Sequence, residues 1–422
     1  MKIRTELVSI PKADFLRAFP ENTDVIIQAH SPANALVLSW GGVAATDDFL
    51  HVSVASLYGS QASDRLFSRT NAEKRVQTSL SDEQSIVLIF PTGVGASRGG
   101  YIGDASPIVR LFESVFDLVI TNPNSVNAAD HYGCDTSWYT EGSILDDFLR
   151  GRLLLDASQK MRVGVILDDV PRSNEIDIIN TLNAAQAVFG IDIVGYSVLD
   201  SALSAKSIRS DYGHFIGEVE NPENLLRASE NLISGGATSI AIVSNVEGVS
   251  KKAWNDHYLH NGVNPIGAVE SLISRFISYM TGLPSAHAPA YVEGLGGVDK
   301  IVDPRASAEV ISRTGLMSVL RGLANSPYPN MDAGKYSKDI NAVVVPASCS
   351  IGVPLTAALT QDIPIILVRD NECSVGIDAS SLPIRGLSVV DSYTDAMSWI
   401  LAKRAGLTWS SLHGKTEPVK AL

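Results

Sequence analysis

Seven short clusters of this chain combine residue types that can do chemistry, and they repeatedly fall just after an expected strand. The first is Pro91–Asp104, which carries five glycines together with Thr92, Arg98 and Asp104. Glycines let the backbone turn tightly and bring N–H groups to an anion, and a following helix adds its positive end. Thr92, Gly93, Gly95, Arg98 and Gly100 are therefore expected to hold substrate. The spacing matches no nucleotide motif. A GxGxxG from Gly93 would need glycine where Arg98 stands, and a Walker loop would need lysine where Tyr101 stands. No NAD or ATP motif is present.

The second cluster, Thr121–Asn127, offers Asn122, Asn124 and Asn127 to a polar ligand or to turns. The third contains Glu141 beside Gly142. The fourth, Asp168-Asp169, can bind a cation, split two carboxyl pKa values, or serve as a cap and a solvated side chain. The fifth, Gly262–Glu270, places Glu270 in the first turn of an expected helix, where a carboxylate also suits the helix dipole. The sixth, Pro284–Ala290, sets His287 between alanines and prolines, the best-displayed acid–base candidate among the eight histidines. The last holds Ser348, Cys349 and Ser350 before a helix, where a hydroxyl or thiol can act as nucleophile or simply cap and pack. His257 and His260 form an HxxH with no evident third metal ligand.

The elements that must position these clusters alternate. Ile86–Phe90, Leu118–Thr121, Val163–Leu167, Ile191–Val198, Ser239–Val243, Ala342–Val345, Ile365–Val368 and Leu387–Val390 are apolar runs of strand length. Between them lie helical stretches: Pro107–Phe116 with Ser106 as cap, Ser173–Phe189, Pro222–Ser234, Gly267–Thr281, Ser307–Ala324, Pro354–Thr360 and Tyr393–Arg404. Such alternation predicts an α/β fold of mostly parallel sheets with helices on both faces, in Rossmann-like lobes whose ligands sit beyond the strand ends. Val25–Ile27, Ala35–Trp40 and His51–Ala55 are shorter runs and suggest a small β-rich or α+β unit. The expected divisions are that unit at 1–80, one lobe at 81–260 with the glycine segment, and a second lobe at 261–422.

The 422 residues include 45% hydrophobic and 19% charged side chains, enough for more than one core and unlike a disordered chain. A formal charge of −13 with no basic–aromatic cluster argues against nucleic acid as a partner. Three cysteines (Cys134, Cys349, Cys373) with no CxxC suggest a reducing compartment. No apolar run approaches the ~20 residues of a membrane span. A cytoplasmic protein with a small-molecule partner is expected, with a homodimer as the default assembly.

The segments PTGVGASRGGYIGDASP, TNPNSVNAA, YTEG, GVNPIGAVESLISR, SAHAPA and VVVPAS together resemble the DUF3326 family, a bacterial domain of unknown function. The resemblance runs from about Pro91 to Thr360. It implies the same fold, and a site on loops bearing Gly93, Gly95, Gly100, Asp104, Asn124, Asn127, Glu141 and His287. It implies no reaction. Family members usually show His at Asn122, Asp at Asn264, His at Arg275, and Ala-Cys-Gly at Cys349-Ser350-Ile351, so this chain departs from the pattern there.

These residues point to an enzyme acting on a small polar, anionic metabolite. In that reading loop amides and Arg98 hold the anion, and His287 moves a proton with Asp104 or Glu141, as a lyase, isomerase or hydrolase would. Two alternatives stay open: a cofactor-independent racemase using Cys349 and Cys134, and a non-catalytic binding or regulatory protein. Carboxylates and asparagines leave room for a divalent cation.

Overall fold

The computed structural model describes residues 1–59, 83–122, 136–290, 300–311 and 315–413. Continuous apolar runs become strands buried on both faces. Ser85–Leu88, Leu118–Thr121, Val163–Leu167 and Ile365–Val368 have no exposed position. They organise two parallel sheets. The larger runs Leu387–Val390, Ile365–Val368, Ile340–Pro346, Ser85–Leu88, Leu118–Thr121, Trp138–Tyr139. The smaller runs Ser285–Pro289, Ser239–Ser244, Val163–Leu167, Ile193–Val198. The fold is thus mixed α/β built on mostly parallel sheets.

A third sheet is antiparallel except for its Val246–Glu247 edge strand, and alternates buried and open positions. Lys2–Pro11, Phe49–Tyr58 and Ala35–Ala45 supply one side of it, and Phe215–Glu220, Ala205–Arg209 and Val246–Glu247 the other. Strands pair across each boundary expected from the sequence. Lys2–Arg4 lies against Glu218–Glu220. Ser85–Leu88 lies beside Ile340–Val344, and Ile240–Ser244 beside Ser285–Pro289.

The helix Gly267–Thr281 joins these layers. Val269, Leu272, Ile273, Phe276 and Ile277 are buried and share one core with Ile3 and Val219 of the antiparallel sheet and Ile240 and Ile242 of the small parallel sheet. Each such side chain contributes about 1.5–3 kcal/mol on burial, so this helix is fixed by packing on several sides. Its amino end is held by Asn264, whose Oδ1 accepts from the N–H groups of Ile266 (2.9 Å) and Gly267 (3.1 Å). Among the described residues no helix is long and apolar enough to cross a membrane.

Several local expectations are corrected. Val25–Ile27 belongs to the helix Thr23–His30, where Ile27 faces the core. Ser106 lies inside the helix Ser106–Glu113 rather than capping it. Of the expected Ser307–Ala324 helix, the described residues form the helical stretches Ser307–Ile311 and Gly315–Ala324, and 312–314 lie outside the described residues. The Ser285–Pro289 segment is a strand, not a loop. Its small residues fit the edge of the small parallel sheet, and its proline sits at the strand end, where a missing N–H does no harm.

Candidate active site

A cavity of about 370 Å³ lies where the three sheets meet the amino half of the Gly267–Thr281 helix. Trp40, Phe90, Phe215, Leu272 and Val375 line its apolar part. Its ionisable lining comprises Glu141, Asp146, Glu270, Arg275, His214 and His287, together with Tyr139 and Cys349.

His287 projects from its strand into this wall with its imidazole fully buried. Its Nε2 is 2.8 Å from Ser244 Oγ on the adjacent strand, and its Nδ1 is 3.4 Å from Glu270 Oε1. Glu270 reaches it from the first turn of the Gly267–Thr281 helix. A carboxylate on one ring nitrogen and a hydroxyl on the other fix the ring's orientation and give a proton two places to go. A second chamber of about 50 Å³, room for about one water molecule, lies against the same two residues and is also lined by Tyr258, Glu309 and Ser318. His287 and Glu270 therefore separate a large cavity from a small one.

The other charged group is a buried ion cluster. Arg275 Nη1 donates to Asp146 Oδ2 at 2.7 Å, and its Nε donates to Ser271 Oγ at 3.3 Å. A side chain at Gly142 would stand 2.8 Å from Arg275 Nη2, so glycine there makes room for the guanidinium. Glu141 caps the helix Gly142–Leu149, accepting from the N–H groups of Ser143 (3.0 Å) and Ile144 (3.4 Å). Burial raises its carboxyl above the usual range, against the opposing charge of Arg275.

Of the site residues expected from sequence, Thr92, Gly93, Asn122, Glu141, Glu270, His287, Cys349 and Ser350 line the cavity. Gly95, Arg98, Gly100, Asp104 and Ser348 do not, and Asn124, Asn127 and Cys134 lie outside the described residues. The reason is visible in the glycine segment, whose amides serve the protein itself. The Ser97 N–H donates to the Glu372 carbonyl (2.8 Å), that of Arg98 to Asn371 Oδ1 (2.8 Å), and that of Ile102 to Glu309 Oε2 (3.0 Å). Arg98 is exposed and turns its guanidinium to the Ser97 carbonyl, so it clamps no ligand in the cavity. Asp104 accepts from the Tyr101 N–H at 3.3 Å and lies near Arg305 and Glu309. Burial pushes its carboxyl up to about 7.

The hydroxyls are likewise tied to backbone. Ser348 Oγ accepts from the Cys373 N–H at 2.9 Å, and Ser350 Oγ from the Ala379 N–H at 2.9 Å. Asn122 lines the cavity, yet its amide exchanges two hydrogen bonds with the Phe90 backbone, at 2.7 and 2.6 Å. Asp168 accepts from the N–H groups of Leu203 and Asn245 and holds the strand ends together. Ser350 does not cap the following helix, whose capping position is Gly352.

The sequence reading missed His214, Asp146, Ser244 and Cys373, and treated Arg275 only as a departure from a pattern. His214 Nδ1 is 2.8 Å from Ser210 Oγ, while its Nε2 is buried without a hydrogen-bond partner among the described residues. Burial lowers its pKa. A signal for Arg275 was present. Glu270, Ser271, Ser274, Arg275 and Ser278 form a polar stripe at i, i+4 and i+8 on a helix otherwise apolar. Cys349 and Cys373 lie on neighbouring turns, where the Cys373 N–H donates to Ser348 Oγ at 2.9 Å, and each thiol perturbs the other. The thiol that the racemase alternative pairs with Cys349, that of Cys134, lies outside the described residues. Among the described residues, no group of three or more His, Cys, Asp or Glu side chains gathers closely enough to hold a metal ion.

Comparison with known proteins places these residues in context. The model of a protein family of unknown function, DUF3326, matches residues 85–413. An uncharacterized lipoprotein of Synechococcus sp. is 32% identical over 336 residues, covering 77% of this chain and 92% of the relative. No solved structure matches the chain significantly.

Proposed function

The chain belongs to the DUF3326 family, and from the cavity we propose that it is an enzyme transferring a proton to or from a small polar metabolite. The observation that carries this reading is the imidazole of His287 held between Ser244 Oγ and Glu270 Oε1 in the cavity wall. In it, His287 is the acid–base residue, Glu270 orients it and takes up its charge, and the small chamber supplies a water for proton exchange. Lyase, isomerase and hydrolase chemistry all need this step.

The lining also bears on the substrate. Three carboxyl groups, Glu141, Asp146 and Glu270, face one guanidinium, which Asp146 already engages. With Arg98 outside, this balance favours a neutral or cationic polar substrate over the anion suggested by the glycine segment. The sparse cysteines support a cytoplasmic setting. The relative's name, a lipoprotein, supports membrane attachment instead, and fractionation of cells producing the full chain separates the two.

The test is incubation of the protein with a metabolite extract in D₂O, followed by mass spectrometry. Wild type is expected to deuterate or convert at least one compound, with His287→Gln losing this by about 10²–10⁴-fold and Glu270→Gln losing it less. A compound that binds, shown by a shift in Tm, yet stays undeuterated and unconverted over hours would replace catalysis with ligand binding. Full turnover by His287→Gln would remove His287 from the chemistry.

A further inference from the structure

We propose that Cys349 and Cys373 form a redox-active thiol pair that a peroxide converts to an intramolecular disulfide in the cavity wall. The proposal is independent of the proton-transfer reading. Ile340–Pro346 and Ile365–Val368 are neighbouring parallel strands in which Pro346 pairs with Val368, so the turns after them run side by side. Cys349 ends the short turn Ala347–Cys349 after the first, and Cys373 follows the second. The two turns are sewn together next to the sulfurs. The Cys373 N–H donates to Ser348 Oγ at 2.9 Å, and Ser348 Oγ donates to the Asn371 carbonyl at 3.3 Å.

Gly376, with φ of +149°, brings its backbone so close that a side chain there would stand 2.7 and 2.8 Å from Cα and Cβ of Cys349. The backbone thus holds the two turns together before any reaction. Both residues are partly exposed. Cys349 lines the cavity, as do Ile351 and Val375 on the same two turns.

The pair is chemically asymmetric. The neighbouring Cys373 sulfur and burial raise the Cys349 thiol, whereas Cys349 and Ser348 lower that of Cys373 against its burial. Cys373 is therefore the attacking thiolate and Cys349 the resolving thiol. The Cys373 sulfur attacks one peroxide oxygen. An S–O bond forms, the O–O bond breaks, and the released hydroxide takes a proton to leave as water. Cys349, losing its proton, then attacks the sulfenic sulfur. An S–S bond forms, the S–O bond breaks, and a second water leaves. Two thiols are oxidised and one peroxide is reduced. The bond ties Cys349 in the cavity wall to the turn that carries Val375.

The experiment titrates the reduced full chain with hydrogen peroxide, alkylates the remaining thiols under denaturing conditions, and reads intact mass and peptide maps. Wild type is expected to lose two hydrogens and two of its three alkylatable thiols together, to yield a peptide joining Cys349 to Cys373, and to regain both thiols with dithiothreitol. Cys349→Ser is expected to stop at a sulfenic acid on Cys373 that dimedone traps. Cys373→Ser is expected to lose the disulfide altogether. Wild type that keeps three thiols until oxygen is added irreversibly would overturn the proposal. So would a bridge that uses Cys134 or links two chains. The wild-type map decides the matter even if a serine variant fails to fold.

Discussion

Thr92 and Gly93 face the cavity, whereas Ala96–Asp104, a few residues later in the same glycine-rich segment, is bound almost wholly to the protein. In the first part the backbone of Gly93 abuts Gly267 at the amino end of the central helix. In the second, Glu372, Asn371, Asp104 and Glu309 take up the amides, and Arg305 Nη1 donates to the Ser97 carbonyl at 2.5 Å. A side chain on Gly99, whose φ is +81°, would stand 2.5 Å from Phe90 Cβ. Glycine is therefore used here for two different ends. One opens backbone toward a cavity; the other lets backbone pack against its own neighbours. Only the first is a candidate for ligand contact.

The largest expected effects set the buried ion cluster of the cavity against the packed later half of the glycine segment. Arg275→Ala strips Asp146 of its buried partner and is expected to cost about 3–5 kcal/mol of folding stability, read by denaturant unfolding. A cost below about 1 kcal/mol would show that the cluster is solvated and not a fixed part of the cavity. Gly99→Ala combines a strained left-handed backbone with a clash at Phe90, for about 2–4 kcal/mol by the same measurement. A neutral result would mean that the later half of the segment is as loose as an open loop.

Asp104→Asn separates the regions by pH. The folded carboxyl titrates near 7, far above its ordinary value of 3.8. The folded state thus holds the proton more tightly than the unfolded chain. The stability this contributes is fully present below about pH 4 and is lost as pH rises to about 7. The variant is expected to flatten the fall in Tm across this range relative to wild type. Equal slopes would place Asp104 in water. The smallest effect belongs to Arg98→Ala. Among the described residues this exposed side chain hydrogen-bonds to the neighbouring Ser97 carbonyl and faces Asp370, so its loss is expected to stay within about 0.5 kcal/mol and to leave ligand-induced Tm shifts unchanged. A lost ligand response would return Arg98 to the site.

Much of the framework was legible in the residue pattern because periodicity is local. Leu118–Thr121, Val163–Leu167, Ile365–Val368, Leu387–Val390 and the helices Pro222–Ser234, Gly267–Thr281 and Tyr393–Arg404 stand where their apolar runs end. His287 and Glu270 were each singled out, one by its setting of small residues and the other by its place in a first turn. Their partnership was not legible, since they stand 17 positions apart in the chain, on a helix and on a strand. Nor was the second neighbour of His287, the hydroxyl of Ser244 on an adjoining strand, because strand register is set by pairing and not by spacing.

The order of residues was enough to set the α/β class, the family resemblance, most strand and helix positions, and the groups from which a site could be made. Tertiary packing alone decided which of them meet. It joined Glu270 to His287 and Arg275 to Asp146, set Cys349 beside Cys373, and turned Arg98 and Asp104 away from the cavity. The physical reason is that an amide, thiol or carboxylate takes whichever partner the packed strands and helices bring within about 3 Å. That choice rests on contacts between segments far apart in the chain, which no local pattern of residues encodes.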